Sequence, residues 1–397
     1  MTSQLFSLSP RSIMVSLILM LLVAGCANTP RQRQEMAPRP HLAPGYMAEQ
    51  RHAISTTRES WMLGNDTADV TLTMPSGEGS FPLVVYLPGM GESAEAGAAW
   101  RRPWAEAGYA VLALQPENIS RILSSPAARS GEFRELARVA FSPRELDRRQ
   151  ALLQKALAEV KQRTSSGTAS GYSRIDPTRV AIAGFDLGAQ TAMFTAGEQI
   201  NGITPFPPTE TLKCVLALSP YADFSGAGFA QRFQPIRVPV MSVSSMDDTD
   251  AYGLISSAAV RRAPFEYMPP GRKYFLSLFS APHALLSGKE TPTQGGEPNS
   301  RDQVFPSMNG AGGDSGGSER RGRGGSRGSR GGGMQGRAAS GFSPELAAGA
   351  WEDQLRYVQS VTTAYLDALV KNDPVAQEWL AKDARRWLGE NANLVTK

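Results

Sequence analysis

The sequence contains little cysteine and little histidine, and its first apolar run is too short to cross a membrane. Its 397 residues include two cysteines and three histidines. So few cysteines exclude a disulfide-stapled scaffold. The apolar run from Ile13 to Ala24 falls short of a comfortable bilayer span. Overall apolar content is ordinary for a globular protein, so the chain can form one large α/β domain or two small ones.

The net charge of the chain is also small once a single arginine-containing stretch is set aside. The formal net charge is +4. Six arginines share one Gly/Ser-rich stretch, namely Arg320, Arg321, Arg323, Arg327, Arg330 and Arg337. Without them the chain is close to neutral, so the folded part is not expected to bind polyanions. The Arg/Gly run has the composition of an RNA-binding segment, but the export signal described next argues against a nucleic-acid partner. Attraction to anionic lipid or polysaccharide and a passive solvated loop are the alternatives.

The start of the chain has the proportions of a secretory signal. One basic residue, Arg11, precedes the apolar run, which ends Val23-Ala24-Gly25-Cys26 and resembles a bacterial lipobox. The resemblance implies a signal peptide at residues 1–25 and a lipid on Cys26. Because Ala27 is not acidic, it also implies the outer membrane of the cell envelope, with the protein facing the periplasm. Residues 26–59 are then a flexible tether, and Cys214 is a free core cysteine.

The remaining chain, residues 60–397, alternates strand-like and helix-like segments. Such alternation predicts a mostly parallel central sheet with helices on both faces. A Gly-, Arg- and Ser-rich insertion at about 287–342 interrupts it and is predicted to be disordered, because it has few apolar residues to bury. Apolar runs predict strands at Val70–Met74, Phe81–Leu87, Tyr109–Leu114, Arg179–Ala183, Leu212–Ser219, Val238–Ser244 and Lys273–Phe279.

The most informative motif is Gly184-Phe185-Asp186-Leu187-Gly188. It follows a strand-like run and precedes a run of small residues, Ala189–Met193, typical of a helix. This is the context of a nucleophile elbow, the G-x-S-x-G turn, with aspartate at the serine position. The motif predicts that Asp186 is presented at the carboxyl end of the sheet.

Two further polar groups follow later strands in the order that such sites use, nucleophile, acid, histidine. Asp248 lies in the acidic turn after Val238–Ser244, and His283 comes after Lys273–Phe279. Parallel sheets place their sites at these carboxyl ends. We expect Asp248 to accept the Nδ1–H of His283, with Asp247 and then Asp250 as the alternative acids.

An oxyanion hole needs two backbone N–H groups near the nucleophile. Leu187, directly after the elbow, is expected to supply one. Met90 is expected to supply the other from the loop Pro88-Gly89-Met90-Gly91, where glycines permit close approach. An ordinary strand-end turn is the alternative for this loop. No metal site and no cofactor is predicted.

Together these segments resemble exported α/β-hydrolases related to dienelactone hydrolases and platelet-activating-factor acetylhydrolases. The similarity extends from about Val70 to Leu388, apart from the insertion. It implies an α/β-hydrolase fold and a small-molecule substrate, ester-like or otherwise, bound at Asp186, Asp248 and His283. Two departures stand out, because Asp186 replaces the family's serine and Pro88-Gly89 replaces the usual His-Gly.

The aspartate changes the chemistry that such a site can perform. Attack of a carboxylate on an ester makes an anhydride, whereas attack on saturated carbon makes a stable alkyl-enzyme ester. Three hypotheses follow: a hydrolase with Asp186 as nucleophile, a hydrolase with Asp186 as base and water as attacker, or a catalytically impaired lipoprotein with a binding role.

Overall fold

The computed structural model describes residues 44–115, 126–167, 171–224, 228–250, 252–289 and 344–397. Within them, nine strands form one sheet in the order β1-β2-β4-β3-β5-β6-β7-β8-β9. From β4 to β8 all neighbours are parallel, while β1, β2 and β9 pair antiparallel. The strands are β1 Ile54–Leu63, β2 Asp66–Pro75, β3 Phe81–Leu87, β4 Ala110–Gln115, β5 Ile175–Phe185, β6 Leu212–Leu218, β7 Val240–Ser245, β8 Lys273–Leu278 and β9 Ala392–Thr396.

Helices connect most of these strands, and α5 contains the helical run Ala189–Met193 predicted after the elbow. The α-helices are α1 Ala98–Glu106, α2 Pro126–Arg129, α3 Phe133–Ala140, α4 Pro143–Ser166, α5 Leu187–Thr195, α6 Phe229–Phe233, α7 Ala263–Tyr267, α8 His283–Leu286, α9 Pro344–Leu366, α10 Pro374–Glu378 and α11 Ala384–Leu388. Short π-helical segments, Asp367–Lys371 and Trp379–Asp383, join α9 to α10 and α10 to α11. No helix in the described ranges is long and apolar enough to span a bilayer.

Both faces of the sheet are covered, as the nearly continuous apolar strands require. In β3 every residue is buried. Leu83 and Val85 belong to the main core cluster together with Leu152 of α4. Tyr86 instead turns its ring to Trp104 of α1, at 6.3 Å between ring centroids. The predicted α/β class, with a mostly parallel sheet and helices on both faces, is confirmed.

The folded part begins earlier than the sequence predicts. The tether was expected to extend to residue 59, yet Tyr46 is buried and β1 starts at Ile54. Residues 54–59 escape a pattern search because most of them are exposed, as at the edge of a sheet, and carry no apolar alternation. The predicted signal peptide, Cys26 and nearly all of the predicted insertion lie outside the described residues.

Candidate active site

Asp186 lies at the turn between β5 and α5 with an uncommon backbone conformation. Its φ is 51° and its ψ is −107°, a region that non-glycine residues rarely adopt. Its amide N–H donates to the carbonyl of Leu218 at 3.0 Å, and its carbonyl accepts from the N–H of Gln190 at 3.1 Å. These bonds fix a strained turn between the strand and the helix. Strain of this kind is concentrated at functional sites.

The two glycines of the motif are required by close packing. A Cβ atom on Gly184 would lie 2.3 Å from the backbone of Gly188. A Cβ atom on Gly188 would lie 1.9 Å from the carbonyl oxygen of Leu87, the last residue of β3. The two ends of the turn therefore pack closely on each other, and the turn packs closely on the residue before the Pro88–Gly91 loop. Any side chain at either position would push the elbow out of place.

His283 lies between the two predicted carboxylates. Its Nδ1 is 2.7 Å from Oδ1 of Asp248, and its Nε2 is 3.9 Å from Oδ1 of Asp186. The first distance is a hydrogen bond, and the second is longer than one. The ring also packs on Phe185, at 4.8 Å between centroids. The structure thus brings Asp186, Asp248 and His283 together in the order the sequence predicts.

Asp248 is held by more groups than the sequence reveals. The Ser219 hydroxyl lies 2.7 and 2.8 Å from its two carboxylate oxygens and 2.9 Å from His283 Nδ1. Ser244 donates to Oδ2 at 2.8 Å. The Ser219 oxygen and the Asp248 carboxylate both lie within hydrogen-bond distance of His283 Nδ1, so both can accept from an Nδ1–H. Asp248 therefore fixes the position of the imidazole ring.

A buried arginine balances the charge of Asp248. Arg261 has no exposed surface, and its Nε lies 3.4 Å from Oδ2 of Asp248. Its guanidinium also donates to the backbone carbonyls of Asp248, Ser219 and Pro220 at 3.0 to 3.2 Å. Burial alone would raise the pKa of Asp248, but Arg261 and the hydrogen bonds from His283 and Ser219 lower it below its usual value.

Asp186 has the opposite electrostatic setting. It is buried, and its Oδ2 has no hydrogen-bond partner among the described residues. Burial raises the pKa of Asp186, against the opposing charges of His283 and Arg261. The pKa of one carboxyl group of the site is thus lowered while that of the other is raised. Such a divergence between neighbouring carboxyl groups is typical of sites that move protons.

The structure separates Asp248 from the two alternative acids. The Asp247 side chain is exposed to solvent. Asp250 accepts from the N–H groups of Tyr252, Leu254 and Ile255, so its carboxylate organises the following loop. Of the three, Asp248 is the one in contact with His283.

The two predicted oxyanion residues are both buried beside the elbow. Met90 and Leu187 belong to one apolar cluster, which also contains Phe141, Tyr221 and Ile255. A Cβ atom on Gly89 would lie 2.7 Å from the Phe185 ring, so the loop after β3 touches the residue before Asp186. The cluster forms an apolar cover over this side of the site.

A cavity of about 460 Å³ adjoins this cover. Phe141 and Tyr221 of the apolar cluster line it, together with Arg134 and Arg138. Asp186 and His283 do not line it. A ligand in this cavity would therefore lie against Phe141 and Tyr221 and separate from the imidazole.

Sequence reasoning missed Ser219, Arg261 and Glu92. Ser219 directly follows β6, so the same strand-end rule that found Asp248 could have found it. Arg261 lies in a 3₁₀ segment with no motif, and only the tertiary structure shows its role.

In the described part of the chain, no three acidic, histidine or cysteine side chains are arranged to hold a metal ion. The chain matches no protein-family model, and a search of curated proteins finds no similar sequence.

Proposed function

We propose that the chain has an α/β-hydrolase fold and is a hydrolase acting on a small ester-like or alkyl substrate through Asp186, His283 and Asp248. The observation that carries the proposal is the position of His283, 2.7 Å from Asp248 on one nitrogen and 3.9 Å from Asp186 on the other. An imidazole so oriented can take a proton from a group at the elbow while the acid holds its tautomer.

In the first step of the proposed reaction, an ionised Asp186 oxygen attacks a saturated carbon of the substrate. The bond from that carbon to the leaving group breaks, and an alkyl ester forms on Asp186. The free Oδ2 and the raised pKa both support this role, because a carboxylate with few hydrogen bonds is a better nucleophile. Apolar walls from Met90 and Leu187 would exclude water from the electrophile.

In the second step, His283 Nε2 removes a proton from water, and the water oxygen attacks the carbonyl carbon of the Asp186 ester. The N–H groups of Met90 and Leu187 are proposed to hold the resulting oxyanion. Collapse of this intermediate expels the alcohol, which takes the proton back from His283. Asp186 is left as the carboxylic acid and loses its proton to solvent before the next attack. Asp248 stays ionised beside Arg261 and stabilises the transient imidazolium.

A binding role is the second candidate function, and one observation favours it. The 460 Å³ cavity is lined by neither Asp186 nor His283. A protein that had lost its reaction could retain this cavity and the fold around it. In that case the Asp248–His283 pair would be structural, and ligand binding would not depend on it.

The test offers p-nitrophenyl acetate, p-nitrophenyl butyrate and an epoxide panel to the purified protein, Asp186→Ser and Asp186→Asn. We expect a mass increase on Asp186 with an epoxide, most clearly in His283→Ala, because that variant can form the alkyl ester but cannot activate the water that hydrolyses it. Asp186→Asn should abolish it, and Asp186→Ser should gain esterase turnover if the rest of the site is intact. Turnover by Asp186→Ser should fall by at least about 10³-fold on adding His283→Ala.

The matched control compares two neighbouring aspartates. Asp248→Asn should lower turnover strongly, because it removes the acceptor for His283 Nδ1–H, whereas the exposed Asp247→Asn should not. If neither the wild type nor Asp186→Ser reacts with any substrate, the hydrolase proposal is wrong.

The sequence also supports a proposed location in the bacterial envelope, with a lipid on Cys26 and a tether following it. The lipobox-like Val23-Ala24-Gly25-Cys26 supports this proposal. Radiolabelled fatty acid should be incorporated by the wild type and not by Cys26→Ser. Label in both proteins, or in neither, would contradict the anchor.

A further inference from the structure

A second buried carboxyl group lies in the loop that follows β3. Glu92 is 8% exposed. Its Oε2 accepts from the N–H of Gly89 at 2.9 Å, and its own N–H donates to the carbonyl of Gly89 at 3.2 Å. The side-chain amide of Gln115 donates to the Glu92 carbonyl. Glu92 therefore closes the turn Gly89-Met90-Gly91 through its main chain and its side chain together.

The turn that Glu92 closes is in contact with the candidate active site. Gly89 lies so close to the Phe185 ring that a Cβ atom there would be 2.7 Å from it. Phe185 precedes Asp186 and stacks on His283 at 4.8 Å. A shift of the Gly89–Gly91 turn would thus alter the positions of Met90, the elbow and the imidazole together.

The surroundings of Glu92 shift the pKa of its carboxyl group upward. Burial raises the pKa of Glu92 to about 7, and the Asp186 carboxylate adds to the rise. Lys289, the Gly89 N–H and His283 act against it. Burial raises the pKa of the Tyr86 hydroxyl, and the Glu92 charge adds to the rise.

We propose that Glu92 is a positioning residue of this site: its side chain holds the Gly89–Gly91 turn, and with it Met90, against the elbow. The proposal rests on the proposed hydrolase function. A carboxylate beside a developing oxyanion repels it, whereas a protonated carboxyl group does not. Turnover should therefore fall as the Glu92 carboxyl group ionises with rising pH.

The positioning role is tested without any substrate, by amide hydrogen exchange at Gly89. Glu92→Gln keeps an oxygen acceptor, so exchange should match the wild type. Glu92→Ala removes the acceptor, and exchange at Gly89 should accelerate about tenfold or more, as expected for losing a hydrogen bond to a carboxyl group. Glu78→Gln, an exposed glutamate in the turn before β3, is the control. Unchanged exchange in Glu92→Ala would overturn the positioning role.

The pH dependence has two readouts. When folding raises the pKa of a carboxyl group, the folded protein loses stability as pH rises from the unfolded pKa toward the folded pKa, here about 7. The Tm of the wild type should therefore fall relative to Glu92→Gln between pH 5 and 8. Turnover, measured in whichever of wild type or Asp186→Ser is active, should lose its neutral-pH decline in Glu92→Gln and keep it in Glu78→Gln.

The outcomes separate this proposal from the hydrolase proposal. If turnover still declines at neutral pH in Glu92→Gln, the proposed role of Glu92 is wrong and the hydrolase proposal is unaffected. Absence of all turnover would overturn the hydrolase, and with it any effect of Glu92 on a reaction. The Tm comparison and the exchange measurement would then still decide whether Glu92 titrates near neutrality and holds the turn.

Discussion

At Asp186, the backbone conformation is that of an elbow that presents a side chain, but the side chain is a carboxylate and not a hydroxyl. The positive φ and the two flanking glycines present one side chain at the tip of the turn. A serine there would need His283 to take its proton, but an aspartate has no such need. Its negative charge instead faces the imidazole at 3.9 Å. In the proposed reaction, His283 therefore acts as a base toward water and not toward residue 186.

Gly188→Ala should destabilise the protein by about 3 kcal/mol or more, because the new Cβ would lie 1.9 Å from a backbone oxygen that cannot rotate away. Urea denaturation measures the loss. Gly228→Ala is the matched control, since nothing lies within 4 Å of a Cβ atom there. A change in both variants of less than about 1 kcal/mol would contradict the tight elbow.

Arg261→Met should lower the free energy of unfolding by about 3–5 kcal/mol at pH 7, because it leaves the Asp248 carboxylate buried without its cation. The pKa of Asp248 is lowered in the folded protein, so its stabilising contribution is present above the unfolded pKa and is lost as pH falls through the folded one. The deficit of the variant should therefore shrink in acid. Equilibrium unfolding at pH 7 and at pH 3.5 measures it.

Arg262→Met provides the control for Arg261. Arg262 is adjacent in sequence but pairs with Glu266 at the surface, where ion pairs contribute about 1 kcal/mol or less. A deficit for Arg261→Met no larger than that of Arg262→Met would show that Asp248 does not depend on the guanidinium.

Among the elements, the buried parallel strands were predictable and the edges were not. Phe81–Leu87 matches β3 at both ends, because a central strand is apolar on both faces. β1 and β9 carry mixed exposure, so periodicity does not reveal them. For the site, strand order placed Asp186, Asp248 and His283. It could not place Arg261 or Glu92, whose roles depend on contacts between distant segments or on burial.

β9 covers the open side of β8, and its removal should expose that edge. Deleting residues 391–397 would free the backbone groups of β8 that now pair with β9. Unpaired edges of this kind associate with other chains. We expect dimers or larger aggregates, measured by size-exclusion chromatography with light scattering.

Asn393→Ala is the control for this deletion. Its side chain is exposed in β9, and the substitution leaves the backbone pairing intact. A deletion variant that stayed monomeric, with the Tm of Asn393→Ala, would contradict the expected role of β9.

For the whole molecule, the Gly/Arg-rich insertion should contribute little to stability. Replacing residues 290–340 by a short Gly/Ser linker should leave the Tm nearly unchanged, because the composition offers little apolar surface to bury. Differential scanning calorimetry measures the result. A drop of several degrees would mean that the insertion packs on the fold.

The contrasting deletion removes residues 44–52 from the start of the described chain. Tyr46 is buried there and donates to Asp367 at 2.8 Å, while Tyr109 donates to the other oxygen of Asp367 at 2.7 Å. This deletion should lower the Tm, since it leaves a buried carboxylate with one partner fewer.

The contact between Tyr46 and Asp367 also determines where a pull on the chain before Tyr46 is first resisted. If a lipid on Cys26 holds the protein at a membrane, any pull on the tether arrives first at Tyr46. Asp367 passes it to the end of α9, where Tyr365 is bonded to the carbonyl of Val215 in the central strand β6. A pull on the chain ahead of Tyr46 would therefore be resisted by the Tyr46–Asp367 contact before it reached the edge strand β1.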